Sequence, residues 1–198
     1  MLSFLKELFQ QKTAGLALLC WRAGITPNLL TWAGFVLTGL SSLAFLYSVE
    51  STTMRLLGAL LLATSGFTDA FDGVVARIAG METRFGGVLD STLDRYADIF
   101  IISSFILSGQ CDALWGLVAI TGSILVSYLR ARSECEGVSM SSIGLVERAE
   151  RLIIIIVASI AGIISYGVIT VAVLSHLTVF QRLYHARQML SAASPRQT

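Results

Sequence analysis

The sequence predicts an all-α integral membrane domain in which six transmembrane helices follow an N-terminal amphipathic helix that lies in the membrane interface. Three observations predict this class. Of the 198 residues, 55% are hydrophobic and only 14% are charged, which excludes an ordinary water-soluble domain. Apolar stretches of about 20 residues, the length that crosses a bilayer, recur along the chain. Polar or glycine-bearing turns separate them, so we expect one membrane domain over residues 1–198.

Residues 1–26 are predicted to form the interfacial helix and the entry to the first span. Apolar residues recur there at helical spacing: Leu2, Leu5, Leu8 and Phe9. The charged and polar residues between them suit a helix lying in the membrane interface. The segment lacks the apolar run and small-residue cleavage site of a signal peptide, so none is expected. Pro27 and Asn28 then interrupt the helix.

Six apolar segments are predicted to form a core over residues 27–188, followed by a tail of residues 189–198. The predicted spans are 29–49, 56–77, 85–107, 113–128, 145–165 and 168–183. Nearly all of the 14 Lys and Arg residues fall at the N-terminus, after the second span, between residues 130 and 151, or from Arg182 to the C-terminal end. Arg55 alone lies in a loop on the opposite side. The positive-inside rule therefore predicts a multi-pass cell-membrane protein with both termini in the cytoplasm.

Acidic residues within otherwise apolar helices are the strongest indication of function. Asp69 and Asp72 lie three residues apart in the second span, and Asp90 and Asp94 lie four apart in the third. Each pair therefore projects from one face of its helix. An ionised carboxylate near the bilayer centre costs about 2.5–3.5 kcal/mol, so the cluster calls for cations. Four carboxylates around a cavity suit Mg²⁺ or Mn²⁺, with a diphosphate-bearing substrate supplying further oxygens.

Salt bridges are the alternative explanation of this cluster. The arginines considered for it lie on the same two helices or between them: Arg77, Arg84 and Arg95. Gly73 and Gly86 favour the metal site, because they would let the two helices approach closely where the carboxylates converge. Asp98 continues the acidic stripe, and it is expected either to join the cluster or to pair with Arg95 or a polar neighbour.

The same residues form a longer pattern over 26 positions. It runs Asp69, two residues, Asp72-Gly73, two residues, Ala76-Arg77, eight residues, Gly86, three residues, Asp90, three residues, Asp94. This pattern resembles the complete signature of the CDP-alcohol phosphotransferase family, with every specified position present. That family also has six spans preceded by an interfacial helix, so the resemblance covers most of the chain.

The resemblance implies a site and a reaction. It implies that Asp69, Asp72 and Asp90 hold two divalent ions, Mg²⁺ or Mn²⁺, and that Asp94 beside them completes the metal set and accepts a proton. An alcohol would attack the lipid-linked phosphorus of a CDP-activated lipid, with CMP leaving. The residues that would contact this donor are Asn28, Thr31, Gly73, Arg77, Thr83 and Gly86. By themselves, Asn28 and Thr31 would be interpreted as capping or turn residues.

Charges between residues 128 and 151 indicate the acceptor. Residues 128–134 are Tyr-Leu-Arg-Ala-Arg-Ser-Glu and residues 147–151 are Glu-Arg-Ala-Glu-Arg. Guanidinium groups bind phosphate through forked, charge-assisted hydrogen bonds. Both stretches are similar to those of phosphatidylinositol-phosphate synthases and their archaeal diether-lipid counterparts. This likeness implies that the phosphate of inositol 1-phosphate is bound by Arg130, Arg151 and Arg182, with Arg132 and Arg148 as weaker candidates.

Several alternatives stay open at this level. The arginines alone would also fit an ordinary cytoplasmic positive-inside belt. A phosphatidylglycerophosphate-type synthase would use the same arginines for glycerol 3-phosphate, and a divalent-cation transporter or a purely structural membrane protein would also contain polar spans. The donor chains are open as well, since an apolar groove accepts acyl chains or isoprenoid ethers. Family resemblance implies a cytoplasmic active site and a homodimer among membrane lipids, and no nucleic-acid partner is expected.

Overall fold

The computed structural model describes residues 13–141 and 143–193, and within these ranges all regular structure is helical. Residues 13–22 are helical and form α1. Six longer helices follow: α2 Pro27–Leu46, α3 Thr52–Ala79, α4 Arg84–Leu107, α5 Ala113–Cys135, α6 Arg148–Ala161 and α7 Ile164–Ala193. Residues 1–12 of the predicted interfacial helix lie outside the described residues, as do tail residues 194–198.

Four helices are long and apolar enough to cross a membrane: α2, α3, α5 and the Ile164–Ser191 part of α7. The other two predicted spans do not meet this standard. The part of α4 from Arg84 to Asp98 carries five charged residues. The helix α6 has 14 residues, about 21 Å at 1.5 Å per residue, which is shorter than a hydrocarbon core of about 30 Å. The sequence prediction is therefore confirmed for the all-helical class and for four of the spans.

The break between α6 and α7 lies earlier than the sequence pattern predicted. We expected it between residues 165 and 168, but α7 already begins at Ile164. Gly162 adopts a φ of 75°, and its backbone N–H bonds to the carbonyls of Ala158 and Ser159. This left-handed glycine ends the helix, as glycines commonly do. The flanking residues are almost uniformly apolar, so hydrophobic periodicity gave no sign of the break.

Buried hydroxyl groups join α2 to α3 along their length. The hydroxyls of Thr38 and Ser65 lie 2.7 Å apart, and Ser65 also donates to the carbonyl of Gly34 at 2.7 Å. Further along, Ser41 donates to the carbonyl of Gly58 at 2.7 Å. Small polar residues of this kind let membrane helices approach closely and hydrogen-bond to each other. The two helices are thereby held at one rotation and register.

The outer surface of the bundle is apolar, as a lipid-facing surface would be. Large apolar side chains are exposed on the long helices, including Leu60, Leu107, Leu114, Val157 and Phe180. In a protein surrounded by water, an exposed apolar surface of this extent would be a liability. The packed core lies inside, between α2, α3, α4, α5, α6 and α7. Membrane burial therefore accounts for both the composition and the surface.

Candidate active site

The candidate site lies where the N-terminal halves of α2, α4 and α6 meet the C-terminal half of α3. Local sequence signals start all three helices here. Thr26 caps α2, and Thr83 caps α4 by accepting a hydrogen bond from the backbone N–H of Gly86 at 2.9 Å. Glu147 and Glu150 form a capping box at the start of α6. Such caps satisfy the free N–H groups of a first turn and fix where each helix begins.

Three of the four predicted metal-binding carboxylates converge. Asp69 of α3 and Asp90 and Asp94 of α4 each offer an oxygen, and these oxygens all lie within 4.8 Å of one another. The Oδ1 atom of Asp90 is buried and has no hydrogen-bond partner among the described residues. Convergent carboxylate oxygens, one of them without a partner, fit a hard divalent cation such as Mg²⁺ or Mn²⁺.

Asp72 occupies a different position from the other three. Its Oδ2 atom accepts a hydrogen bond from the Thr31 hydroxyl at 2.6 Å, between α3 and α2. Asp72 is buried, yet it lines the same cleft as Asp90. The sequence did not indicate this contact, because Thr31 was assigned to the donor and not to a carboxylate.

One arginine of α6 bridges two of the converging carboxylates. The Nη1 atom of Arg148 lies 2.6 Å from Asp69 Oδ2 and 2.7 Å from Asp94 Oδ1. Arg95 reaches the other oxygen of Asp94, Oδ2, at 3.2 Å. Of the three arginines weighed as salt-bridge partners, Arg95 alone forms an ion pair with the cluster within residues 13–141 and 143–193. Part of the carboxylate cluster therefore forms salt bridges, as the alternative explanation expected. The main partner is Arg148, which was considered only as an acceptor ligand.

Asp98 pairs with a second arginine of α6 and not with Arg95. Its Oδ2 atom accepts a hydrogen bond from Arg151 Nη2 at 2.7 Å, and both side chains are almost fully buried. The Oδ1 atom of Asp98 lies 3.9 Å from Arg148 Nε. In the described part of the chain, Arg151 Nε and Nη1 and Arg148 Nε have no hydrogen-bond partner. Unpaired buried donors of this kind are costly without a ligand or water to accept from them.

A polar cleft of about 350 Å³ lies beside the carboxylates, between α2, α3 and α4. All six residues predicted to contact the donor line it: Asn28, Thr31, Gly73, Arg77, Thr83 and Gly86. A Cβ atom on Gly86 would lie 2.9 Å from Thr83 Oγ1 and 3.3 Å from Asn28 Oδ1, so any other residue would have to displace these two side chains. On Gly73, a Cβ atom would meet only the Arg77 guanidinium, at ordinary contact distance. Gly73 thus widens the cleft and does not mark a helix contact.

The two predicted acceptor residues of α5 pair along their own helix. Arg130 Nε lies 3.0 Å from Glu134 Oε1, and Arg132 pairs with Glu136. All four side chains are about half exposed. Exposed pairs at this spacing are weak, so both guanidinium groups are free to exchange partners.

Arg182 of α7 is buried, and most of its donors are engaged. Its Nε atom donates to the carbonyl of Ile143 at 2.9 Å, and Nη1 donates to the carbonyl of Val126 at 2.6 Å. Its Nη2 atom lies 3.5 Å from Glu147 Oε1. In this arrangement, Arg182 joins α5, the segment before α6, and α7.

The sequence contained one unused signal for the bridging arginines. Arg148 and Arg151 lie in the first turn or just after it in α6, at the positive end of the helix dipole. Basic residues there are unfavourable unless acidic groups compensate them. Glu147 and Glu150 in the same turn supply part of this compensation, and the structure adds the carboxylates of Asp69, Asp94 and Asp98.

The chain is similar to known proteins over the segment that contains this site. Residues 24–181 match the family model for CDP-alcohol phosphatidyltransferase. The archaetidylinositol phosphate synthase of Pyrococcus horikoshii is 42% identical over 169 residues, which cover 84% of this chain and 86% of that protein.

Two crystal structures of the phosphatidylinositol phosphate synthase of Mycobacterium tuberculosis share the fold, each at 29% sequence identity. The one with CDP-DAG bound has a TM-score of 0.73 and covers 88% of this chain and 92% of that one. The one in complex with manganese and citrate has a TM-score of 0.74, with 88% of each chain covered. The chain therefore belongs to the CDP-alcohol phosphatidyltransferase family and is an enzyme that transfers substituted phosphate groups.

Proposed function

We propose that the protein transfers a phosphatidyl-type group, diacyl or diether, from a CDP-activated lipid to inositol 1-phosphate. The products are CMP and a phosphoinositol-phosphate lipid. The observation that carries this proposal is the juxtaposition of three converging carboxylates with two arginines of α6, the partly buried Arg148 and the buried Arg151. The first group suits a metal-bound diphosphate and the second suits the phosphate of an acceptor. The named synthases of archaetidylinositol phosphate and phosphatidylinositol phosphate among its relatives support the same assignment.

The divalent ions would be held by Asp69, Asp90 and Asp94, with Asp72 as a further ligand from the adjoining cleft. We propose two ions, Mg²⁺ or Mn²⁺, and the manganese complex of the M. tuberculosis relative supports this chemistry. When bound, the ions neutralise the diphosphate and stabilise CMP as the leaving group. The cleft lined by Asn28 and Arg77 would take the CDP part of the donor.

Asp94 is the proposed general base. Its carboxylate takes the proton from the acceptor hydroxyl, whose oxygen forms a bond to the lipid-linked phosphorus. The bond from that phosphorus to the bridging oxygen of the diphosphate breaks, and CMP leaves with the electron pair. Arg95 and Arg148 lie against the same carboxylate, so they hold its orientation before the reaction.

Arg151 is the main proposed ligand of the acceptor phosphate, because two of its buried nitrogens have no partner among the described residues. Arg130, with Arg132 beside it, would complete the pocket from the end of α5, where their exposed ion pairs exchange readily. We propose that Arg182 also belongs to this phosphate pocket, since it anchors the segment leading into α6.

The membrane arrangement is part of the proposal. We propose that α2 to α7 all span the bilayer, that α4 does so because its charged face is compensated inside the bundle, and that the short α6 does so with its first turn below the headgroups. The interfacial helix would precede them. Both termini and the active site would face the cytoplasm, and the protein would form a homodimer.

An acceptor panel tests the proposed reaction. Purified protein in liposomes, supplied with CDP-lipid and Mg²⁺, is expected to release CMP with inositol 1-phosphate. Release should be at least about tenfold slower with glycerol 3-phosphate, serine or free inositol, since each lacks either the phosphate or the ring that the pocket would fit. CMP release that is fastest with glycerol 3-phosphate would reassign the acceptor and leave the family membership intact.

Donor binding is tested by a matched pair of glycine substitutions. Gly86→Ala is expected to weaken CDP-lipid binding about tenfold, because its Cβ atom would push on Thr83 and Asn28. Gly15→Ala is the control: Gly15 is exposed on α1, does not line this cleft and has nothing within 4 Å of an added Cβ atom, so binding should change by less than about twofold. The dissociation constant for CDP-lipid measures both. Equal effects of the two substitutions would show that the tight packing at Gly86 plays no part in donor binding.

A further inference from the structure

Arg148 occupies the place that a divalent ion would take among the converging carboxylates. Its Nη1 atom lies within 2.7 Å of one oxygen from each of two of them, Asp69 and Asp94. Carboxylate oxygens lie about 2.0–2.6 Å from a bound Mg²⁺ or Ca²⁺, so the same two oxygens cannot surround an ion while this nitrogen lies between them. Binding of an ion by these two oxygens therefore requires that the guanidinium leave.

A released Arg148 has a second position close by. Its Nε atom already lies 3.9 Å from Asp98 Oδ1, and Asp98 also pairs with Arg151. Turning away from Asp69 and Asp94 would bring the guanidinium of Arg148 beside that of Arg151, which has two buried nitrogens without a partner in the described ranges. Two adjacent guanidinium groups make a strong site for a phosphate dianion. The same movement thus vacates the metal position and completes the phosphate position.

We propose that Arg148 is an internal counter-cation: it neutralises the carboxylates while no ion is bound, and it passes to the acceptor phosphate when a divalent ion replaces it. This inference rests on the proposed metal-dependent function. It makes the two ligands mutually supportive, since an ion that displaces Arg148 frees it for phosphate, and phosphate that captures Arg148 vacates the ion site. By linkage, each ligand must strengthen binding of the other by the same factor.

The test is a Mn²⁺ titration of the full-length protein in detergent, with free Mn²⁺ read from its EPR signal. Without acceptor, Arg148→Gln is expected to bind Mn²⁺ about five to ten times more tightly than the wild type, because no internal cation competes. Arg187→Gln is the matched control, since it removes an equal charge from an exposed position of α7 and not from the converging carboxylates. Its Mn²⁺ affinity should stay within about twofold of the wild type.

A second measurement addresses the transfer to phosphate. Inositol 1-phosphate is expected to tighten Mn²⁺ binding to the wild type about fivefold or more, and to have at most a twofold effect in Arg148→Gln. If Arg148→Gln does not give monodisperse protein, Arg148→Lys keeps a charge without the planar fork and should bind Mn²⁺ at least about twofold more tightly than the wild type.

The outcomes separate this inference from the function on which it rests. If the wild type binds no Mn²⁺, the metal-dependent function itself is wrong. If it binds Mn²⁺ but neither Arg148 variant binds more tightly, or if Arg187→Gln binds Mn²⁺ as tightly as Arg148→Gln does, the proposal that Arg148 is a counter-cation is refuted and the proposed function stands. Equal tightening by inositol 1-phosphate in the wild type and in Arg148→Gln would likewise refute the transfer.

Discussion

Asp94→Asn is expected to lower kcat for CMP release by about 10²–10⁴-fold, the range that a positioned general base contributes. The substitution keeps the shape of the side chain and removes its ability to accept a proton. The amide would still lie between Arg95 and Arg148 but would no longer pair with their charges. Donor binding should be largely kept, since the cleft residues are unchanged. Single-turnover CMP release and CDP-lipid binding, measured on the same preparation, separate the two effects.

Asp112→Asn is the matched control for this substitution. Asp112 caps α5 by accepting a hydrogen bond from the backbone N–H of Leu114 at 2.9 Å, away from the site residues of α3, α4 and α6. Asn caps helices as well as Asp does, so kcat should remain within about twofold of the wild type. A wild-type kcat in Asp94→Asn would rule Asp94 out as the base.

Asp98→Asn is expected to destabilise the protein by about 3–5 kcal/mol, the usual cost of removing one partner from a buried ion pair. Arg151 is buried, and two of its nitrogens already have no partner among the described residues. Without the carboxylate of Asp98, its charge would be left uncompensated by its present partner. Reversible unfolding in mixed micelles would measure the change in the free energy of unfolding.

Glu134→Gln provides the comparison for Asp98→Asn. It breaks the ion pair between Glu134 and Arg130. Both side chains are about half exposed, so the pair contributes about 1 kcal/mol at most to the free energy of unfolding. A second comparison is the double variant Asp98→Asn with Arg151→Met, which removes both charges and should recover much of the lost stability. A loss below about 1 kcal/mol in Asp98→Asn alone would show that Arg151 is compensated by other groups.

The helices and the convergence of the carboxylates were accessible from the sequence for one reason: both follow from helical periodicity. A spacing of four places Asp90 and Asp94 on one face of α4, and a stripe of carboxylates on an apolar helix has to turn towards the interior of the bundle, where Asp69 also lies. The six residues assigned to the donor line one cleft, because they start or end helices that meet at the same end of the bundle. Periodicity does not resolve a helix end inside a uniformly apolar segment, and for that reason the break at Gly162 was misplaced.

The partners of the charged residues were not accessible in the same way. The bond from Thr31 to Asp72 depends on the rotation of α2 against α3, which buried hydroxyls such as those of Thr38 and Ser65 set. The position of Arg148 between Asp69 and Asp94 depends on where the 14-residue α6 lies along α3 and α4. These are tertiary contacts between distant parts of the chain. A pattern within one helix contains no information on them.

The pairing of α4 with α6 also imposes an order on biosynthesis. The hydroxyl contacts of α2 and α3 can form as soon as both helices have left the ribosome. The acidic stripe on α4 has to wait, because its partners Arg148 and Arg151 are translated only after the whole of α5. Until then, α4 is a segment too polar to remain in lipid by itself. In the proposed six-span arrangement, α4 would therefore have to be sheltered from lipid until α6 arrives, and the site would be among the last parts of the protein to form.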